Sequence, residues 1–244
     1  GISMAQTVKK FDINTNGHDY FCTDIHGCKT KLFKLLNAIQ FDFENDRLFC
    51  AGDIVDRGPE SLECAMLVKE KWFHSVQGNH EDMLCGYLLG EYPEEFYFSN
   101  GGEWAKDLSI DQAVDLVREF NKLPSIIEVE TKSGLIGVVH ADINVSFWDV
   151  FKQRVQSIYN ERMNSLWGRT RIEKMISGKI GGVRLVILGH TPKVDPTLLG
   201  NTLYIDTHGI SNKITIFRED NELIYSIDKY DRVQYVELEH YHKN

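Results

Sequence analysis

Gly52-Asp53-Ile54-Val55-Asp56-Arg57-Gly58 follows the apolar run Leu48-Phe49-Cys50-Ala51. A short apolar run bounded by turn residues reads as a buried strand, and the two glycines mark residues 52–58 as a loop. Two carboxylates and a guanidinium therefore stand at the C-terminal end of a strand. In open α/β sheets, ligands sit in the crevice outside those ends. A salt-bridged surface loop would carry the same Asp-x-x-Asp-Arg pattern, so the rest of the chain has to decide.

Working outward, residues 18–23 read as a strand that ends at Asp24-Ile25-His26-Gly27. Leu32, Phe33, Leu35, Leu36 and Ile39 then recur at helical spacing over 29–39. After the loop a helix starts near Pro59, a residue favoured in the first turn. Phe73-His74-Ser75-Val76 reads as a third strand, running into Gly78-Asn79-His80-Glu81 and a helix through Leu88. Strand, polar loop and helix occur three times, which implies parallel strands joined by right-handed crossovers. All three loops then fall on one edge of the sheet.

Residues 91–104 read as irregular, with Tyr92, Phe96, Tyr97 and Phe98 either packed under a loop or walling a cleft. An amphipathic helix is expected over 111–121, and a hairpin over 126–130 and 135–139 ending at His140. One helix is expected over 151–163, before Trp167-Gly168-Arg169. Strands at 184–188 and 202–205 end at Gly189-His190-Thr191-Pro192 and at Asp206. Further strands at 214–217, 223–227 and 233–238 make the second half a β-rich meander, read as a second sheet packed on the first. Gly1-Ile2-Ser3 reads as an expression scar and 4–244 as a single domain.

The net charge of -9 argues against binding nucleic acid by neutralising its phosphates. No apolar run approaches the ~18–20 residues of a membrane span, and no secretory apolar region is seen near the N-terminus. The expected location is the cytoplasm, without membrane or nucleic-acid partners. Five cysteines with no Cys-x-x-Cys fit reduced structural thiols better than a disulfide or zinc framework.

The strand ends carry Asp24, His26, Asp53, Asp56, Arg57, Asn79, His80, His140 and His190, with Arg169 nearby in sequence order. The metal-binding types among them offer oxygen and nitrogen but no thiolate, which disfavours a structural zinc site. Asp24 and His26 can face one cation, Asn79, His140 and His190 a second, and Asp53 has two oxygens with which to bridge. Two ions ~3.5–4 Å apart polarise a phosphoryl oxygen and bring a bridging water's pKa toward neutrality, giving a hydroxide for in-line attack. Guanidinium forks such as Arg57 and Arg169 bind two phosphate oxygens at once. A leaving alkoxide needs a proton, which a histidine such as His80 supplies. Asp56 can accept its other ring N–H and fix the tautomer. One such residue is most often structural; this many at strand ends is not a chance set.

The motifs Asp24-Ile25-His26-Gly27, Gly52–Gly58 and Gly78-Asn79-His80-Glu81 resemble the three signatures of the phosphoprotein phosphatase family of metallophosphoesterases. Their order fits, as does their spacing of 29 residues from Asp24 to Asp53 and 26 from Asp53 to Asn79. His140-Ala141-Asp142, Trp167-Gly168-Arg169 and Gly189-His190-Thr191-Pro192 resemble its later motifs. The likeness runs over about 18–217, and is greatest to the small bacterial and phage branch typified by the bacteriophage lambda protein phosphatase. It implies a four-layer αββα fold, with two mixed β-sheets packed face to face and flanked by helices. It places one metal on Asp24, His26 and Asp53, and the other on Asp53, Asn79, His140 and His190. It gives phosphate binding to Arg57 and Arg169, and leaving-group protonation to His80 with Asp56. Two divalent ions are implied, manganese first, with iron, zinc or magnesium as other candidates. The implied substrates are phosphoserine, phosphothreonine and also phosphotyrosine in proteins or peptides. One departure is Asp206-Thr207-His208-Gly209, where the family continues Asp-Thr-Gly. It puts that loop's backbone in question and leaves His208 as either a bystander or a modifier of the cleft.

Two other readings compete. A symmetrical dinucleoside tetraphosphate hydrolase shares the scaffold, but that group tends to have Asp after its Asn-His pair and Asn at the position of Asp56. A catalytically silent phosphopeptide-binding module would lack a ligand or the proton donor, and none is missing here.

Overall fold

Alternation along the strands sets the layers. Tyr20 and Cys22 face one side of their strand and Phe21 the other; Leu48 and Cys50 likewise oppose Phe49. In the other sheet Ile126 opposes Ile127, and Val186 opposes Ile187. Phe21, Phe49, Ile127, Val129, Ile136, Val138, Ile187 and Leu203 share one cluster, so two sheets meet face to face there. The outward faces are covered by helices on both sides. A strand with both faces apolar needs such double cover. Each fully buried Phe, such as Phe21 and Phe49, contributes about 1.5–3 kcal/mol.

The computed structural model describes residues 6–243; the 1–3 segment read as an expression scar lies outside the described residues. The strands, in chain order, are β1 (Val8–Phe11), β2 (Asp19–Cys22), β3 (Arg47–Cys50), β4 (Phe73–Ser75), β5 (Ile126–Thr131), β6 (Gly134–Val139), β7 (Leu185–Leu188), β8 (Thr197–Leu199), β9 (Thr202–Tyr204), β10 (Ile214–Arg218), β11 (Leu223–Ile227), β12 (Val233–Glu237) and β13 (His242–Lys243). The helices are α1 (Lys29–Ala38), α2 (Ser61–Ala65), α3 (Asn79–Leu88), α4 (Glu94–Tyr97), α5 (Ile110–Asn121), α6 (Trp148–Ser157), α7 (Tyr159–Trp167), α8 (Thr170–Glu173) and α9 (His208–Ser211), with short 3₁₀ and π turns between some of them.

One sheet has the order β12-β11-β10-β2-β3-β4, the other β1-β5-β6-β7-β9-β8-β13. Strands β2, β3 and β4 are parallel, as the threefold alternation requires. In the other sheet β6, β7 and β9 are parallel neighbours. The two mixed sheets flanked by helices are the expected fold class. No helix among the described residues is long and apolar enough to cross a membrane.

Three local expectations change. The second half is not a meander forming its own sheet: β10 pairs antiparallel with β2, which brings β10–β12 into the first sheet. The helix expected over 151–163 is two helices, broken at Ile158, whose φ of -125° and ψ of 115° are extended. Residues 91–104 are largely short helical turns rather than irregular. Three short strands, β1, β8 and β13, were not expected.

Candidate metal centre

The parallel strands bring their C-terminal ends to one place. Asp24 and His26 follow β2, Asp53 follows β3, and Asn79 opens α3 just after β4. His140 follows β6 and His190 follows β7. The loops are tied to one another through backbone: Asp24 N donates to the Gly52 carbonyl (2.9 Å), His26 N to the Asp53 carbonyl (3.1 Å) and Gly189 N to the His140 carbonyl (2.8 Å). Asp24 Oδ1 accepts from His190 N at 3.1 Å, joining the two sheets' loops.

These loops are bent hard. Asp24, His26, Asp53, Asp56, Arg57 and His190 have φ values of 47, 43, 58, 77, 74 and 72°. Left-handed backbone at a residue with a Cβ costs about 1–3 kcal/mol and gathers at functional sites. Gly52 has φ 93°, and a Cβ there would lie 2.7 Å from Gly78 Cα, so the loops approach too closely for any side chain.

Glu81 holds the organising loop in this shape. Its carboxylate is fully buried; Oε1 accepts from Asp53 N (2.7 Å) and Gly78 N (2.9 Å), and Oε2 from Ile54 N (2.9 Å) and Val55 N (3.4 Å). Glu81→Gln turns an amide NH₂ toward two of these N–H donors. A buried unsatisfied donor costs about 1–3 kcal/mol, so a loss of roughly 2–10 °C in Tm is expected for a chain of this size. A thermal melt of metal-free protein measures it; an unchanged Tm would remove Glu81 from this role.

Within the cluster each histidine is oriented by its far nitrogen. His26 Nδ1 donates to the Val55 carbonyl (2.9 Å), His140 Nδ1 to the Ala51 carbonyl (2.6 Å) and His190 Nε2 to the Trp167 carbonyl (3.2 Å). That carbonyl bond is the arrangement that fixes a metal-ligating imidazole. His26 Nε2 then lies 3.3 Å from Asp24 Oδ2 and 3.8 Å from Asp53 Oδ2, and His140 Nε2 lies 3.2 Å from Asp53 Oδ2. Two groups could each hold an ion: His26, Asp53 and His80, and Asp53, His140 and His190. Asp53 is common to both.

The donor set fits divalent cations on two counts. Burial opposes charge on His26, yet its bond to Asp24 and the charge of Asp53 push its pKa up to about 10. Burial likewise opposes charge on His140, and Asp53 pushes it up to about 9. Burial would raise Asp53 too, but His140 and His80 hold its carboxyl well below the usual range. The site thus draws in positive charge, which cations would supply by displacing those protons. His190 instead has its pKa lowered to about 3 by burial and the charge of His140, leaving a neutral ring with a lone pair. The second count is Asn79. The end of its amide lies 3.1 Å from both Asp53 oxygens and 2.9 Å from His140 Nε2. With its oxygen turned inward, as at 2.9 Å from His140 Nε2, the amide would add a neutral oxygen to the donors that a cation could take up there.

His80 N donates to Asp53 Oδ1 (3.0 Å), and His80 Nδ1 meets Asp56 Oδ2 at 2.8 Å. Arg57 is exposed, its N donating to the Gly101 carbonyl (2.9 Å). Arg169 Nη1 donates to Thr191 Oγ1 (3.0 Å), beside His190.

The residues that the sequence did not single out for the site are Glu81 as an anchor, and Tyr97 and Trp104. The last two donate to Asp56 Oδ1 at 2.5 and 2.8 Å. His208 touches the site as well: its Nδ1 donates to the Asp24 carbonyl (3.1 Å). The inserted residue needs no special backbone angle, because Asp206 Oδ1 accepts from His208 N and α9 starts there. His18 pairs with Asp220, and His74 stacks on Phe49, both away from the cluster.

Residues 20–194 match the calcineurin-like phosphoesterase family model. A serine/threonine-protein phosphatase 2 of Salmonella typhimurium is 33% identical over 223 residues, covering 87% of this chain and 99% of that protein. An asymmetrical bis(5'-nucleosyl)-tetraphosphatase of Bacillus subtilis is 26% identical, covering 80% of this chain and 88% of its own. The solved structure of a cold-active protein-tyrosine phosphatase of a psychrophilic Shewanella covers 96% of this chain and 83% of its own, with a TM-score of 0.59 at 14% identity.

Proposed function

The chain belongs to the calcineurin-like phosphoesterase family, and we propose that it hydrolyses phosphoserine and phosphothreonine esters in proteins or peptides, accepting phosphotyrosine as well. The observation that carries this reading is the convergence of Asp24, His26, Asp53, Asn79, His140 and His190 beside a His80–Asp56 pair.

We assign one cation to Asp24, His26 and Asp53, and the other to Asp53, Asn79, His140 and His190. Imidazole, carboxylate and amide donors accept manganese, iron, zinc or magnesium; manganese is assigned from the resemblance to the phage branch. Bound there, the ions supply Lewis-acid polarisation of the phosphoryl group and bring the pKa of water toward neutrality. Arg57 and Arg169 grip the phosphate oxygens from two loops and orient phosphorus for in-line displacement. His80, with Nδ1 on Asp56, has Nε2 left to protonate the departing seryl or threonyl oxygen. Asp56 stabilises the imidazolium and fixes which nitrogen faces the substrate.

We take 4–244 as one domain, a reading supported by β10 pairing with β2 across the chain. The five free cysteines support a cytoplasmic location. Dinucleoside tetraphosphate hydrolysis is the second reading, favoured by the Bacillus subtilis relative; Asp56 and Glu81 stand against its symmetrical form. The test compares turnover of a phosphoserine peptide and of diadenosine tetraphosphate by manganese-loaded protein. Faster peptide hydrolysis is expected. Faster cleavage of the dinucleotide, or tight peptide binding with no turnover of either, would overturn the proposal.

A further inference from the structure

Asp56 receives three side-chain donors, and two come from a segment that carries no metal ligand. Oδ2 pairs with His80 Nδ1, while Oδ1 accepts both the Tyr97 hydroxyl and the Trp104 indole N–H. Asp56 and Tyr97 are fully buried. Tyr97 ends α4, and Trp104 lies in the 3₁₀ turn Glu103–Asp107. Between them Gly101 accepts from Arg57 N, and at φ 95° a Cβ there would lie 2.5 Å from Arg57 Cγ. Residues 97–104 thus close directly on the Asp56-Arg57 pair.

A carboxylate's own torsion does not hold its plane, because rotation about the bond to a planar terminal group is broad. The plane of Asp56 is held by what it accepts. With two donors on Oδ1 the group cannot rotate without breaking both, and Oδ2 stays on His80. The pattern also selects a carboxylate over an amide: an NH₂ at either position would face a donor.

We propose that Tyr97 and Trp104 are positioning residues for leaving-group protonation, holding the Asp56 carboxylate so that His80 keeps its Nε2 on the departing oxygen. This rests on the phosphatase reading above. Proton delivery matters for a poor leaving group, such as a seryl alkoxide, and little for p-nitrophenolate. A merely structural role would slow both esters alike.

The test uses Tyr97→Phe, Trp104→Phe and the double variant, all manganese-loaded, against a phosphoserine peptide and p-nitrophenyl phosphate. General acid catalysis contributes about 10²–10⁴-fold, and misplacing the acid forfeits part of it. For the double variant, kcat on the peptide is expected to fall about tenfold or more, with KM little changed and kcat on p-nitrophenyl phosphate nearly kept. In a His80→Asn background the same substitutions should leave the ratio of the two kcat values unchanged. Equal losses on both esters, no loss on either, or an undiminished effect without His80 would overturn the proposal. Trp104 is only half-buried, so Trp104→Phe carries the test alone if Tyr97→Phe fails to fold. A wild-type protein that hydrolyses neither ester would instead overturn the phosphatase reading itself.

Discussion

Asp53→Asn is expected to lower phosphate release from a phosphoserine peptide by about 10³-fold or more, and to cost the protein bound manganese. The size follows from the position. Asp53 is the one residue common to both candidate ion groups, and its Oδ2 stands between the ring nitrogens of His26 and His140. Asparagine fits the space, and its oxygen can still accept from His80 N, as Asp53 Oδ1 does. The NH₂ that then replaces Oδ2 points a donor where a cation is to bind. Lewis-acid stabilisation of the transition state is worth several kcal/mol, and each 1.36 kcal/mol is tenfold in rate. Elemental analysis after dialysis against manganese, alongside phosphate release, reads both effects. Wild-type protein stripped with EDTA should match the variant and recover on adding manganese. An Asp53→Asn protein with full metal content, or with activity within tenfold of wild type, would end the role assigned to this residue.

How much of the fold is legible in the sequence depends on how local each signal is. The three parallel strands and their loops are legible because a short apolar run, a glycine-bounded polar turn and a helical period all lie within about thirty residues of one another. The candidate ligand set is legible for the same reason: Asp24 and His26 share the end of β2, the other four each follow a strand of their own, and parallel strands put those ends together. Pairing across the chain is not. Nothing in 214–218 reveals that it joins β2, some two hundred residues earlier, and the three residues of β8 are too few to show alternation. Ile158 breaks a helix without Gly or Pro, so no residue announces the break.

The site's supports are hidden for a related reason. Glu81 acts on backbone N–H groups 26–28 residues away, and hydrogen bonds to backbone leave no mark in the partner's identity. Tyr97 and Trp104 lie 41 and 48 residues from Asp56, and the aromatics around Tyr97 read more readily as packing under a loop. The signal available is chemical: an Asp that orients a histidine has a second oxygen, and in a buried site that oxygen needs its own donor. The left-handed backbone at Asp24, His26, Asp53, Asp56, Arg57 and His190 has no sequence signature because glycine, its usual marker, is absent at all six.

His80→Asn separates two roles that its position allows. One ring nitrogen of His80 lies within 4.8 Å of ligand atoms on His26 and Asp53, as a metal ligand's would. Its Nδ1 is on Asp56, a contact that orients the ring and serves a ligand or a proton donor equally. Asp24 already stands 3.3 Å from His26 Nε2 and offers that ion a charged oxygen, so the cluster does not need a further nitrogen. The proton-donor role is therefore expected to win. In that case the variant keeps its manganese, and kcat on a phosphoserine peptide falls about 10²–10⁴-fold. On p-nitrophenyl phosphate, whose leaving group departs without a proton, the fall should be at least tenfold smaller on the same scale. If His80 were a ligand, metal content would drop and both esters would slow together. Measuring metal content and the two kcat values on one preparation decides between them, and loss of manganese from His80→Asn would overturn the proton-donor assignment.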